Sequence, residues 1–201
     1  MDPDFAHRLR VGVMGSAGGQ MTPEVVERCR ELGREIGRRG YVMITGACPG
    51  LPHCAAEGAR AEGGLLVGVS PAMSRWEHIN HYRSPYKEYD VIIYTGSGLM
   101  GREVAAVRSC DVVLILGGRS GTLGEFAIAF DEGKLVGVLR STGGIADHIH
   151  EIVTMIQKST GAEVVYHDNP VALLDLCEQA HARRVAAGVV DRPPLTDEDM
   201  G

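Results

Sequence analysis

Short apolar runs return at regular intervals along this chain, and a helix-length segment separates each from the next. The runs are RVGVM from Arg10, YVMIT from Tyr41, LLVGVS from Leu65, DVIIYT from Asp90, DVVLIL from Asp111, LVGVL from Leu135, and EVVY from Glu163. Such strand–helix alternation predicts a single doubly wound α/β domain, with a mainly parallel sheet of about seven strands and helices on both faces. The Asp111 run is continuously apolar, as expected of a central strand buried on both sides. Thr22-Pro23 opens the first helix as cap and first helical residue, and Gly40 stops it. Further helices are expected over 52–61, 97–109, 121–132, 145–158 and 170–187.

One stretch resists this pattern. Residues 71–88 carry Trp76, His78, His81, Tyr82 and Tyr86 without clear periodicity, and are expected to form an irregular lid or binding loop. Its aromatic residues can serve as packing or as a platform for a base. The domain is expected to span 1–187, with 188–201, rich in acidic residues and proline, as a loose tail.

Composition narrows the function classes. The net charge of −6 argues against a nucleic-acid partner, which needs a basic face. No stretch approaches the apolar length of a membrane span, so no membrane partner is expected. The 5 cysteines are scattered with no CxxC pair, the usage of reduced thiols in a cytoplasmic protein. Cys48, His53 and Cys54 cluster, but not at metal-ligand spacing, and no metal or other cofactor is expected.

In a parallel sheet, ligands sit beyond the carboxyl ends of the strands. Glycine-rich turns fall at that edge: GSAGG from Gly15, TGACPG from Thr45, TGSGLMG from Thr95, and GGRSGT from Gly117. Glycine lets backbone N–H groups converge without Cβ obstruction, and a helix opening behind the turn adds its positive end. The phosphate-binding candidates are therefore Gly15, Ser16, Gly46, Gly98, Gly118, Arg119, Ser120, Gly121 and Thr122. Glu125 carries two readings. Thr122-x-x-Glu125 fits a capping box, and a carboxylate here can equally face a ligand. Arg102 lies early in its helix, where a cation meets the unfavourable end of the dipole. It is either a solvated surface side chain or the partner of an anion.

The segment GREVAAVRSCDVVLILGGRSGTLGEF resembles the LOG proteins, cytokinin-activating phosphoribohydrolases. Their motif is an Arg-Lys pair, a helix, a strand opening with Asp, then PGGxGTxxE; here its positions are Arg102, Asp111, Gly121-Thr122 and Glu125. The likeness extends to GSAGG and to AEGARAEGGLLVGVSP. It implies a Rossmann-like fold, a homodimer, and a nucleoside 5′-monophosphate substrate, a purine nucleotide above all. The implied reaction is hydrolysis of the N-glycosidic bond to free base and ribose 5-phosphate, with Arg102 and Glu125 as the catalytic pair.

This sequence departs from the pattern in places. Glu103 stands where the family has Lys, Arg119 replaces a motif glycine, and TGACPGLP replaces GGGxxGLMG. These departures point to a divergent branch near the molybdenum-cofactor carrier proteins. That resemblance implies the alternative function: a protein that binds a nucleotide or pterin phosphate without hydrolysing it.

Overall fold

A computed structural model describes residues 8–189, so all but the first two residues of the expected loose tail lie outside the described residues. Seven strands form one sheet in the order β4-β3-β2-β1-β5-β6-β7. They are β1 (Arg10–Gly15), β2 (Val42–Thr45), β3 (Leu65–Ser70), β4 (Val91–Tyr94), β5 (Val112–Leu116), β6 (Leu135–Leu139) and β7 (Glu163–His167). Every pairing is parallel, with Val11 opposite Met43 on one side and Val112 on the other. The helices are α1 (Pro23–Arg38), α2 (Leu51–Ala61), α3 (Arg75–Asn80), α4 (Gly98–Arg108), α5 (Ser120–Asp131), α6 (Ile149–Ile156) and α7 (Pro170–Ala186). A 3-10 turn over Gly144–His148 leads into α6. The expected α/β domain with a parallel sheet is observed.

The core has two halves because side chains alternate along each strand. Val112, Leu114 and Leu116 of β5 face α1, α2 and α7, where Cys29, Leu32, Ile36, Ala55 and Leu173 meet them. Val113 and Ile115 face the other way, toward Ala106 and Val107 of α4 and Phe126, Ala129 and Phe130 of α5. Ile128 of α5 packs against this half from a partly buried position, and Ala127 faces outward. All five residues of β5 and of β6 are buried, as their continuous apolar sequences require.

Helix α1 starts as its sequence dictates: Thr22 Oγ1 accepts from the Val25 amide at 3.3 Å, and Pro23 takes the first helical position. Residues 71–88 are irregular over most of their length, as expected, but one short helix, α3, interrupts them. Ser74 accepts from the Glu77 amide at 3.2 Å and Glu77 accepts from the Met73 amide at 2.7 Å, which nucleates α3. His78 is fully buried between Ser70 Oγ (2.8 Å) and the Pro85 carbonyl (3.0 Å), and pins the segment to the sheet. Ser74-x-x-Glu77 is a capping signature that the sequence carried. Among the described residues, no helix is long and apolar enough to cross a membrane.

Candidate functional site

The strand order reverses between β1 and β5, so the loops after these two strands diverge to opposite faces and leave a crevice. A cavity of about 350 Å³ opens there. Its wall is built from the loops after β1, β2 and β5 and from the first turns of α4 and α5.

Hydrogen bonds fix the floor. The Ser16 amide donates to the Leu116 carbonyl at 3.1 Å, and the Leu51 amide donates to the Ser16 carbonyl at 2.9 Å. Ser16 Oγ accepts from the Gly118 amide at 2.6 Å, and Thr142 Oγ1 from the Gly117 amide at 2.9 Å. The Gly118 amide is therefore engaged within the loop, and neither Gly118 nor Gly98 lines the cavity. Gly15, Ser16, Gly46, Arg119, Ser120, Gly121 and Thr122 do line it, as do Arg102 and Glu125. No residue of 71–88 does, so the aromatic platform considered for that segment is not at the cavity.

Helix α5 begins earlier than its sequence suggests. The Leu123 amide bonds to the Arg119 carbonyl at 2.9 Å, which makes Arg119 the cap residue and puts Thr122 inside the first turn. The capping box at Thr122–Glu125 is accordingly not formed; Glu125 sits one turn in, with its side chain on the cavity wall. No side chain caps α5, and the amides of Ser120, Gly121 and Thr122 have no acceptor among the described residues. Three unpaired N–H groups at a helix start form an anion-receptive corner. Arg119 stands exposed beside it.

Arg102 is 7% exposed, which rules out the solvated surface side chain. Its Nη1 donates to the Val69 carbonyl at 3.2 Å, and its Nε is buried without a partner. The guanidinium fits only because residue 46 is glycine: a Cβ there would lie 1.4 Å from Nη1. Glu125, 5% exposed, approaches Arg102 Nη2 at 4.0 Å, within ion-pair range but sharing no hydrogen bond. Burial pushes the Glu125 carboxyl up to about 7; Arg102 pulls against this and Glu103 reinforces it.

Two further residues complete the wall. Glu103 is 5% exposed and has neither hydrogen bond nor ion pair among the described residues. Burial raises its carboxyl above the ordinary range, with Arg102 opposing. Cys48 also lines the cavity, and its thiol is raised by burial. In the sequence, Glu103 stands out only as a departure from a motif. Its burial follows from how α4 packs on α5, for which no local pattern gives a signal.

Fold and crevice together define the class: a Rossmann-like α/β domain whose polar cavity lies at the sheet's switch point. Residues 8–174 match the SLOG cluster4 family, and the chain belongs to that family. An uncharacterised protein of Archaeoglobus fulgidus is 33% identical over 132 residues, covering 66% of this chain and 80% of the relative. The crystal structure of the structural-genomics target TM1055 superposes with a TM-score of 0.74 at 28% identity, over 85% of this chain and 99% of that one. The molybdenum cofactor binding protein of Rippkaea orientalis follows at 0.66 and 27%, over 87% and 98%. These likenesses bear out the resemblance to LOG-type proteins in a branch near the molybdenum-cofactor carriers.

Proposed function

We propose that the protein hydrolyses the N-glycosidic bond of a nucleoside 5′-monophosphate, releasing free base and ribose 5-phosphate. One observation carries this reading: Glu125 and Arg102 are both buried on the wall of a cavity, close but not hydrogen-bonded to each other, beside three unpaired helix-start amides. A buried charge without a full set of partners is costly unless a ligand completes it.

The 5′-phosphate takes the amides of Ser120 to Thr122, with Arg119 as a second contact. This anchors the sugar and lets remote binding energy position the reacting carbon. As the C1′–N bond breaks, its electron pair goes to the base nitrogen and the ribose ring becomes cationic. The Glu125 carboxylate balances that charge and orients a water, whose oxygen bonds to C1′. One water proton ends on the base and the other remains on the new hydroxyl. Arg102 fixes Glu125 and faces the leaving group. Because the carboxylate form is needed and the group titrates near 7, turnover rises as pH increases through about 7.

Incubation with a panel of nucleoside monophosphates, assayed for ribose 5-phosphate and free base, tests the reading. Glu125→Gln is expected to lower release by about 100-fold or more while still binding nucleotide. Undiminished turnover in that variant refutes the role.

A second reading is favoured by Glu103, which removes the cation that LOG enzymes hold at this position, and by the likeness to a molybdenum cofactor binding protein. In it the same cavity holds a nucleotide or pterin phosphate and releases it intact. Recovery of every ligand unchanged from the panel selects this reading. The proposed unit is a homodimer, supported by the exposed Met73, Trp76, Leu99 and Met100; sedimentation of the chain at the mass of a monomer at assay concentration counts against it.

A further inference from the structure

Glu103 is the most conspicuous group that the proposed reaction does not use. The residue is 5% exposed, its carboxylate lines the cavity, and it accepts no hydrogen bond from any described residue. Its place is built for it: a Cβ at Gly121 would lie 3.4 Å from Oε1, and one at Gly124 only 2.9 Å from Oε2. The two glycines leave a slot on the flank of α5 that the carboxylate occupies. Its oxygens thus open onto the cavity as acceptors with no donor among the described residues, and are available to donors that a ligand brings.

We propose that Glu103 reads the base edge of the ligand and selects one with two adjacent N–H donors, the 2-amino-4-oxopyrimidine edge shared by guanine and pterins. The proposal rests on the nucleotide-site reading above and names its substrate class. A carboxylate offers two parallel acceptors, and the complementary edge must offer two parallel donors. Guanine does so through ring N1–H and the exocyclic amine. Adenine and cytosine each set one amine beside a ring acceptor, and hypoxanthine has the ring N–H without the amine. Each of these leaves a carboxylate lone pair unpaired or opposed, and a buried polar group left unpaired is a strong basis for rejection. The two carboxylates of the cavity then divide the work, Glu125 serving the ribose and Glu103 the base.

Rapid equilibrium titration of the whole chain with GMP, IMP and AMP tests this, together with a pterin phosphate and its analogue lacking the 2-amino group. GMP is expected to bind about tenfold or more tightly than IMP or AMP. Glu103→Gln removes that preference and brings GMP down to the affinity of IMP. Gly124→Ala, a change that suits a helix, keeps the charge but displaces the carboxylate, and is expected to weaken the same preference. IMP bound as tightly as GMP, or a preference that survives Glu103→Gln, overturns the assignment and leaves the nucleotide site standing. Binding of the pterin phosphate alone, dependent on its 2-amino group and on Glu103, keeps the assignment and overturns the nucleotide reading. Failure of every ligand to bind overturns both.

Discussion

The two faces of the sheet treat close approach and charge in opposite ways. Where α1 meets α2, backbone fills the space that glycine leaves. A Cβ at Gly33 would lie 1.8 Å from the Ala55 carbonyl oxygen, and one at Gly58 2.0 Å from that of Arg30. The charges of α1 stay at the surface and pair there: Arg34 reaches Glu31 at 2.6 Å and Glu27 at 2.5 Å, and Arg30 reaches Glu57 at 3.0 Å. Where α4 meets α5, the space beside Gly46, Gly121 and Gly124 is filled by charged ends of side chains instead. Those charges are buried and incompletely paired. One face is finished by the protein itself; on the other, buried charge stays incompletely paired.

Substitutions can break this contrast at either face. Gly33→Ala forces α1 away from α2 at a backbone contact that cannot yield by rotating a side chain. The expected cost is about 3 kcal/mol, or roughly 6–12 °C in Tm, read by thermal melting. A melt within a degree of the wild type would show that the helix pair is not the tight contact described.

At the opposite face, Glu125 couples stability to pH. Its carboxyl lies at about 7 in the folded protein against 4.5 as an ordinary glutamate. The folded state therefore holds the extra proton between these values, and this stabilisation is complete below 4.5 and lost as pH rises through 7. The full swing is on the order of 3 kcal/mol. Urea melts at pH 5 and pH 8 are expected to show Glu125→Gln more stable than the wild type at pH 8, with the difference shrinking toward pH 5. A wild type that is the more stable at pH 8 would mean that its charge is satisfied within the protein.

The smallest effect belongs to the surface of α1. Arg34→Ala removes two ion pairs that water already screens, and Tm is expected to move by no more than about 2 °C. A larger drop would place structural weight on exposed charge and blur the difference between the faces.

Much of the fold was legible because the signals are local. Thr22-Pro23 caps α1 as read, and the continuously apolar 112–116 and 135–139 are buried central strands. Ser74-x-x-Glu77 is an equally local signal, but the helix it caps spans only Arg75–Asn80, too short to show a periodic apolar pattern. The site was legible in part. Arg102 and Glu125 do meet, yet Gly98 and Gly118 stand off the cavity, and the Thr122–Glu125 cap gives way to an earlier helix start.

By itself, the sequence determined the alternation of strand and helix, and hence a parallel sheet with glycine turns at its carboxyl edge. Periodicity and turn chemistry act within a few residues of the chain, so they can be read without knowing what packs on what. Only the tertiary structure decided that Glu103 and Glu125 lie without a hydrogen-bond donor among the described residues on one cavity wall, and that Arg102 is buried against Gly46. Those facts depend on how far α4 and α5 are rotated about their own axes against the sheet. That rotation is set by packing between residues distant in sequence.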